Sequence, residues 1–312
     1  MLGGFGLGLA LGCGTTGTDG SGGGSSGTGG GGTGGGTGGG TGGGTGGGTG
    51  GGTGGGGGTG GGGTGGGTGT GGGMGGGGSG TGSWAIGDGT FLTGKSYGDP
   101  FSSGIGSSCV VYKASTAGPC HSNTFDRQEL TEGYVGLPTR LELLVVDASC
   151  NPVPNATVEI WHASPGGRYS GAPVNGQVGS DLNVGMCTGN DANALSAGWF
   201  RGYQTGGSDG RLTFDTLFPG WYSGRAWHIH FRVSVGSSQY VTSQLFADET
   251  LKQNVFSTHT SYSSRPITSM GYVTNSSDMV INESGLSLSD AVLDYSMQSD
   301  GALLMWKAIT VS

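Results

Sequence analysis

The stretch from Gly14 to Ser83 limits how much of this chain can fold, because it repeats "GGTGGGTGGG" with almost nothing else. Glycine loses more backbone entropy on ordering than any other residue and has no side chain to bury, so the tract predicts a flexible coil. Most of the 80 glycines in the 312-residue chain lie there. Random-coil scaling gives its about 70 residues a root-mean-square reach on the order of 45 to 50 Å. The tract contains no proline, which excludes a collagen-like triple helix. It reads as a disordered Gly/Thr-rich linker over 14–83. The folded part is then expected in 84–312, a length and composition suited to one β domain with its own core.

Ahead of the linker, "MLGGFGLGLALGC" is a short apolar run closing on Cys13. Residues 1–13 read as a signal or bacterial lipoprotein-like segment, in which a lipidated Cys13 would anchor the chain to a membrane at the cell surface or in the periplasm. A plain secretory signal is the other reading. An exported chain oxidises its thiols, so Cys109, Cys120, Cys150 and Cys187 predict two disulfides. Three pairings exist, and the reading adopted is Cys109 with Cys120 and Cys150 with Cys187. No CxxC spacing supports a thiolate metal site. A formal net charge of −8 leaves no basic surface for nucleic acid.

Two β-rich runs, Leu141 to Val146 and Ala156 to His162, flank an Asn/Pro turn cluster. Asp209 and Gly210 form a turn before the alternating "RLTFDTLF", and "AWHIHFRVSV" and "SQYVTSQLFAD" make two more strands. Amphipathic helical windows are few. The expectation is an all-β fold, an antiparallel β-sandwich with long loops, among which 171–197 is long enough to frame a site.

The segment "PGWYSGRAWHIHFRV", Pro219 to Val233, concentrates a tyrosine, an arginine and two of the chain's five histidines. Residues i and i+2 of a strand share a face, so His228 and His230 can grip one metal ion while Ile229 packs the other way. Around them stand "TEG" at Thr131, "NATVEIWHASPGGRYSG" at Asn155, "FRGYQTGGSDGRLTFDTLFPGWYSGRAWHIHF" at Phe200 and "TSQLF" at Thr242. In these motifs and their order, the chain from Thr131 to Thr274 resembles the intradiol ring-cleavage dioxygenases, in particular their exported branch.

That resemblance implies a non-haem Fe(III) held by Tyr169, Tyr222, His228 and His230, and no organic cofactor. It implies catalytic roles for Tyr222, which takes a substrate proton as it leaves the metal, and for Arg225, which stabilises developing negative charge. Gln244 and Trp227 fall in the substrate pocket. The reaction would open a catechol-type ring with O2 to a muconate-type diacid. Phenolate oxygen and imidazole suit ferric iron, which favours the chemistry on its own terms. The chain departs from the family at "AGPCH", Ala117 to His121, where a pocket tyrosine is missing, and in a short link from Tyr222 to the histidines. The helices through which cytoplasmic relatives dimerise have no counterpart, consistent with a monomer.

Two other readings use the same residues. A non-catalytic tethered β-sandwich binding module predicts no bound iron, and a metal-binding lipoprotein using only His228 and His230 predicts no tyrosinate absorption. Asp209 reads as a turn residue, Trp161 as a core or pocket-wall aromatic, His162 as facing away from the site, and His121 and His259 as surface residues.

Overall fold

The computed structural model describes residues 83–105, 109–174 and 180–312. The segment 1–13 with Cys13, and the linker apart from its last residue, lie outside the described residues. Among the described residues the regular structure is mostly strand, in two four-stranded sheets. The first comprises β1 (Pro138–Asp147), β4 (Arg211–Leu217), β7 (Asp294–Met297) and β8 (Leu303–Val311), in the order β4-β1-β8-β7. The second comprises β2 (Ala156–His162), β3 (Arg201–Thr205), β5 (His228–Val235) and β6 (Ser238–Phe246), in the order β3-β2-β5-β6.

The second sheet is antiparallel throughout, as expected. The first is mixed, because β1 runs parallel to β8, and this corrects the wholly antiparallel expectation. The reason is visible in "LELLVV". Leu141, Leu143 and Val145 enter the main core, while Leu144 and Val146 pack with Phe101 on the opposite face. A strand buried on both faces suits a parallel neighbour, here one supplied by the far end of the chain. One hydrophobic cluster joins both sheets through Leu141 and Leu143 of β1, Ile160 of β2, Ile229 and Phe231 of β5 and Met305 of β8.

The long segment 171–197 holds two helices, α1 (Ser180–Thr188) and α2 (Ala192–Ser196), where an irregular loop was expected. Asp191 caps α2 by accepting from the Asn193 and Ala194 amides. Three further helices follow: α3 (Glu249–Thr258), α4 (Met279–Ser284) and α5 (Leu288–Ala291).

The disulfides are Cys109–Cys150 and Cys120–Cys187, which overturns the pairing adopted from sequence. Cys109 packs beside Phe101 and Leu144 near the turn that follows β1, whereas Cys120 and Cys187 share a cluster with Trp161 and Tyr169. The bridges span separations of 41 and 67 residues. In the chain-entropy picture each is worth about 4 kcal/mol.

Neither His121 nor His259 is a surface residue, contrary to expectation. His121 pairs through Nε2 with Glu159 at 2.7 Å and meets Trp161 edge-on. His259 is buried, its Nε2 donating to the Ala85 carbonyl at 3.0 Å. His162 does face away from Trp161. It is wholly buried, with Nδ1 2.9 Å from the Ala163 carbonyl and Nε2 2.8 Å from Thr216 Oγ1. The carbonyl can only accept, so Nδ1 carries the proton and Nε2 accepts from the threonine.

Burial lowers the His162 pKa to about 4. On acidification the unfolded chain therefore takes up this proton before the folded one. The contribution to stability is complete above pH ~6.5 and is lost as pH falls towards ~4, by roughly 3 kcal/mol. Urea unfolding at pH 7 and pH 4.5 should show the parent losing more stability than His162→Gln. Equal losses would mean that another group carries the acid sensitivity.

Candidate active site

The register of the second sheet builds the back of the site. Trp161 on β2 pairs with His230 on β5, and His230 pairs with Gln244 on β6. This row lies on the face opposite Ile160, Ile229, Phe231 and Leu245, which belong to the main core. The Trp161 ring stacks on the His230 imidazole at 4.9 Å and 2°. His228, two residues before His230, completes the pair on the same face, and both histidines are buried.

Two loops bring the tyrosines over this face. Tyr169 lies beyond a turn at Gly167, and its amide donates to the Cys187 carbonyl at 2.7 Å, so the Cys120–Cys187 bridge secures the segment that positions it. Tyr222 ends "PGWY", whose Gly220 donates to the Ser164 carbonyl at 3.0 Å. A Cβ at Gly220 would collide with the Pro165 carbonyl, which accounts for the glycine. Tyr169 is buried and Tyr222 is partly exposed.

Their hydroxyls meet the histidines. His228 Nε2 lies 3.2 Å from Tyr169 Oη, 3.1 Å from Tyr222 Oη and 3.1 Å from His230 Nε2. His228 Nδ1 lies 2.7 Å from the Ala226 carbonyl and must donate to it, which leaves Nε2 with a bare lone pair. Burial, reinforced by Arg225, lowers the His228 pKa to about 3, so the ring is neutral. One lone pair cannot satisfy three polar neighbours. Four donors, two nitrogens and two oxygens, of which only Tyr222 is partly exposed, therefore converge on a space suited to a cation, and this donor set fits a non-haem iron ion.

The ionisation of the free groups points the same way. Burial and the neighbouring Tyr222 hold the Tyr169 phenol well above its ordinary pKa, and burial raises Tyr222 against the opposing charge of Arg225. Burial and His228 hold His230 well below the ordinary value. Without a cation, all four groups are neutral and crowded.

Arg225 and Gln244 join this cluster. The guanidinium donates through NH2 to Gln244 Oε1 at 2.5 Å, and Gln244 Nε2 donates to the Thr116 carbonyl at 3.1 Å. Trp227 stands apart: it is wholly buried in the main core, its indole N–H donating to the Pro219 carbonyl at 2.8 Å.

Sequence reasoning missed Asp278. This wholly buried carboxylate pairs with Arg225 Nε at 2.9 Å and accepts from the Ala226 amide at 2.7 Å. Burial raises its pKa, but the Arg225 and Ala226 hydrogen bonds outweigh that and hold it below the ordinary carboxylate range. A signal was present in "SDMVINESG", where an Asp cap and a closing glycine bracket a short helix. Trp161 reads from sequence as a core or pocket-wall aromatic, and its stacking on His230 depends on strand register.

The Dioxygenase family model matches residues 115–280, more than half of the chain. The chain belongs to the intradiol ring-cleavage dioxygenase family. Two solved structures, one a dioxygenase and one an intradiol ring-cleavage dioxygenase from Tetranychus urticae, each align with this dioxygenase at a TM-score of 0.54. Each is 24% identical over 65% of this chain and 95% of its own, and the likeness concerns the fold. The dioxygenase domain of a carbohydrate-binding fusion protein from Streptomyces sp. SirexAA-E aligns at a TM-score of 0.42 with 17% identity, over 64% of this chain and 97% of that one. No curated protein matches this dioxygenase in sequence.

The "AGPCH" segment, which departs from the family, approaches the site through Gly118. Its φ is +68°, and a Cβ there would lie 3.0 Å from His230 Cε1. Gly236 has φ +58° with nothing within 4 Å, and so serves as a control for backbone strain alone. Alanine at either position should cost about 1–2 kcal/mol in stability. Only Gly118→Ala should also lower ring-cleavage turnover, by displacing His230. Equal turnover in the two variants would place Gly118 outside the site's support.

Proposed function

We propose that this dioxygenase holds non-haem Fe(III) through Tyr169, Tyr222, His228 and His230, and opens a catechol-type ring with O2 to a muconate-type diacid. The observation that carries this reading is the bare Nε2 lone pair of neutral His228, which faces two phenol oxygens and the other imidazole at 3.1–3.2 Å. Ferric iron, when bound, would supply the electron withdrawal that makes a chelated catechol reactive towards O2.

The protein's own groups divide the remaining work. Tyr222, partly exposed and on a loop, is the residue whose tyrosinate would accept a substrate proton at Oη, returning it to the neutral phenol. Tyr169, buried and tied to Cys187, stays in place. Both histidines are restrained from behind, His228 by the Ala226 carbonyl and His230 by the Trp161 ring. Arg225 offers a fixed guanidinium to negative charge developing on the substrate, and Gln244 holds that guanidinium from the β6 side while shaping the pocket.

This reading extends to the chain's setting. The two sheets form a sandwich domain over 84–312, carried as a monomer on the 14–83 tether. The chain is exported, and lipidated Cys13 anchors it. Two disulfides support an oxidising compartment. Among the described residues no helix is long and apolar enough to cross a membrane.

The test is iron content and the visible spectrum of the full-length protein, before and after anaerobic addition of catechol. A broad tyrosinate-to-Fe(III) band that moves to longer wavelength with catechol is expected. Tyr222→Phe should keep some iron, shift the band and lower turnover by about 100-fold or more, whereas His230→Ala should lose the metal. A colourless protein that refuses iron on loading would overturn the ligand assignment.

A further inference from the structure

The Arg225 guanidinium is held by a side chain that touches neither substrate nor metal ligand. Asp278 lies 53 residues further along the chain, at the N-cap of α4, and is wholly buried. Its Oδ1 accepts from the Val280 and Ile281 amides at 2.9 and 3.2 Å. Its Oδ2 accepts from Arg225 Nε at 2.9 Å and the Ala226 amide at 2.7 Å, and Arg225 NH2 reaches Oδ1 at 3.3 Å. A carboxylate with two oxygens is thereby saturated by five contacts, two of them from one edge of one guanidinium.

The same carboxylate acts on a second group. The Ala226 amide that donates to Asp278 belongs to the residue whose carbonyl accepts from His228 Nδ1 at 2.7 Å. One anion thus fixes the plane of Arg225 and the residue that sets the His228 tautomer. The strap carrying Asp278 is itself tied down. Asn275 donates to Glu249 Oε1 through its amide and to the Ala247 carbonyl through Nδ2, and it accepts from buried Lys252, all at 2.7–2.8 Å.

We infer that Asp278 is a positioning residue of this active site: it clamps Arg225 against Gln244 and Tyr222 and, through Ala226, holds His228 Nε2 towards the hydroxyls. The inference rests on the proposed roles of Arg225 and His228. It assigns Asp278 more than the capping of a six-residue helix.

Asp278→Asn separates these roles. Asparagine caps helices as well as aspartate does, so α4 should keep its cap. It cannot accept at both oxygens, and it leaves the Arg225 charge uncompensated. The variant should retain iron and its tyrosinate band while kcat falls about 10- to 100-fold. In an Arg225→Ala background, the same substitution should cost clearly less kcat than it does alone, the remaining loss being the part carried through Ala226 to His228.

A second readout uses the iron-free protein. The Arg225 Nε–H resonance, assigned by its loss in Arg225→Lys, should be slow to exchange in the parent and exchange rapidly in Asp278→Asn. Additive kcat losses, an unchanged kcat in Asp278→Asn, or an unaltered Nε–H signal would each overturn the inference. A parent protein that takes up no iron yet shows the protected Nε–H signal would instead overturn the iron reading and leave the clamp standing.

Discussion

A single imidazole lone pair, that of His228 Nε2, sets the terms for the rest of the structure. Three other polar atoms lie within 3.2 Å of it in the protein interior, and one lone pair can accept from only one of them at a time. Such an arrangement persists only where each group is held from outside. That is what the surroundings supply: a carbonyl behind His228, an indole stacked on His230, and a backbone bond from Tyr169 to the segment carrying Cys187. The strain of collecting these donors is spread over sheet register, loop contacts and a disulfide.

The division of labour follows from the elements involved. Strands place side chains by a fixed period, so β5 presents both histidines from one stretch of backbone and leaves Ile229 and Phe231 to the core. Loops carry no such period and need other restraints. The Tyr169 loop and the Tyr222 loop restrain each other where Gly220 meets Ser164, a contact open only to glycine. Covalent closure of the Cys120–Cys187 bridge does for the Tyr169 segment what hydrogen bonding in the sheet does for the histidines.

How far the sequence could be read tracks these same differences. Strands β1, β2, β4, β5 and β6, the shared face of His228 and His230 and the Asp209–Gly210 turn depend on local pattern and were legible, whereas β3, β7 and β8 went unread. The parallel partner of β1, the disulfide pairing, the pairing of His121 with Glu159 and the burial of His259 depend on which distant segments meet. No spacing rule contains that information. Helices α1 and α2 were hidden by a Gly- and Asn-rich composition that reads as loop, although Asp191 gave a capping signal. Asp278 was missed because a buried carboxylate and a helix cap look alike in a sequence, and the arginine that separates them lies 53 residues earlier.

The two arginines near the tyrosines are not equivalent. Arg225 is matched by Asp278, so its charge is largely offset before any ligand arrives. Arg201 is buried beside the Tyr169 ring, 5.9 Å from its centroid, and spends its donors on the Ser170 and Cys120 carbonyls and the Ser170 hydroxyl. Its NH1 has no hydrogen-bond partner among the described residues. Burial lowers its pKa to about 10, which still leaves it cationic at neutral pH. Carbonyl dipoles soften an unpaired charge but do not cancel it. The field of Arg201 therefore favours an anion at Tyr169, opposing the burial that keeps the phenol protonated. Under the proposed iron assignment, a phenolate at Tyr169 would both bind the cation beside His228 and offset the charge of Arg201. On that reading, Arg201 favours the ionised form of a residue that burial alone keeps protonated.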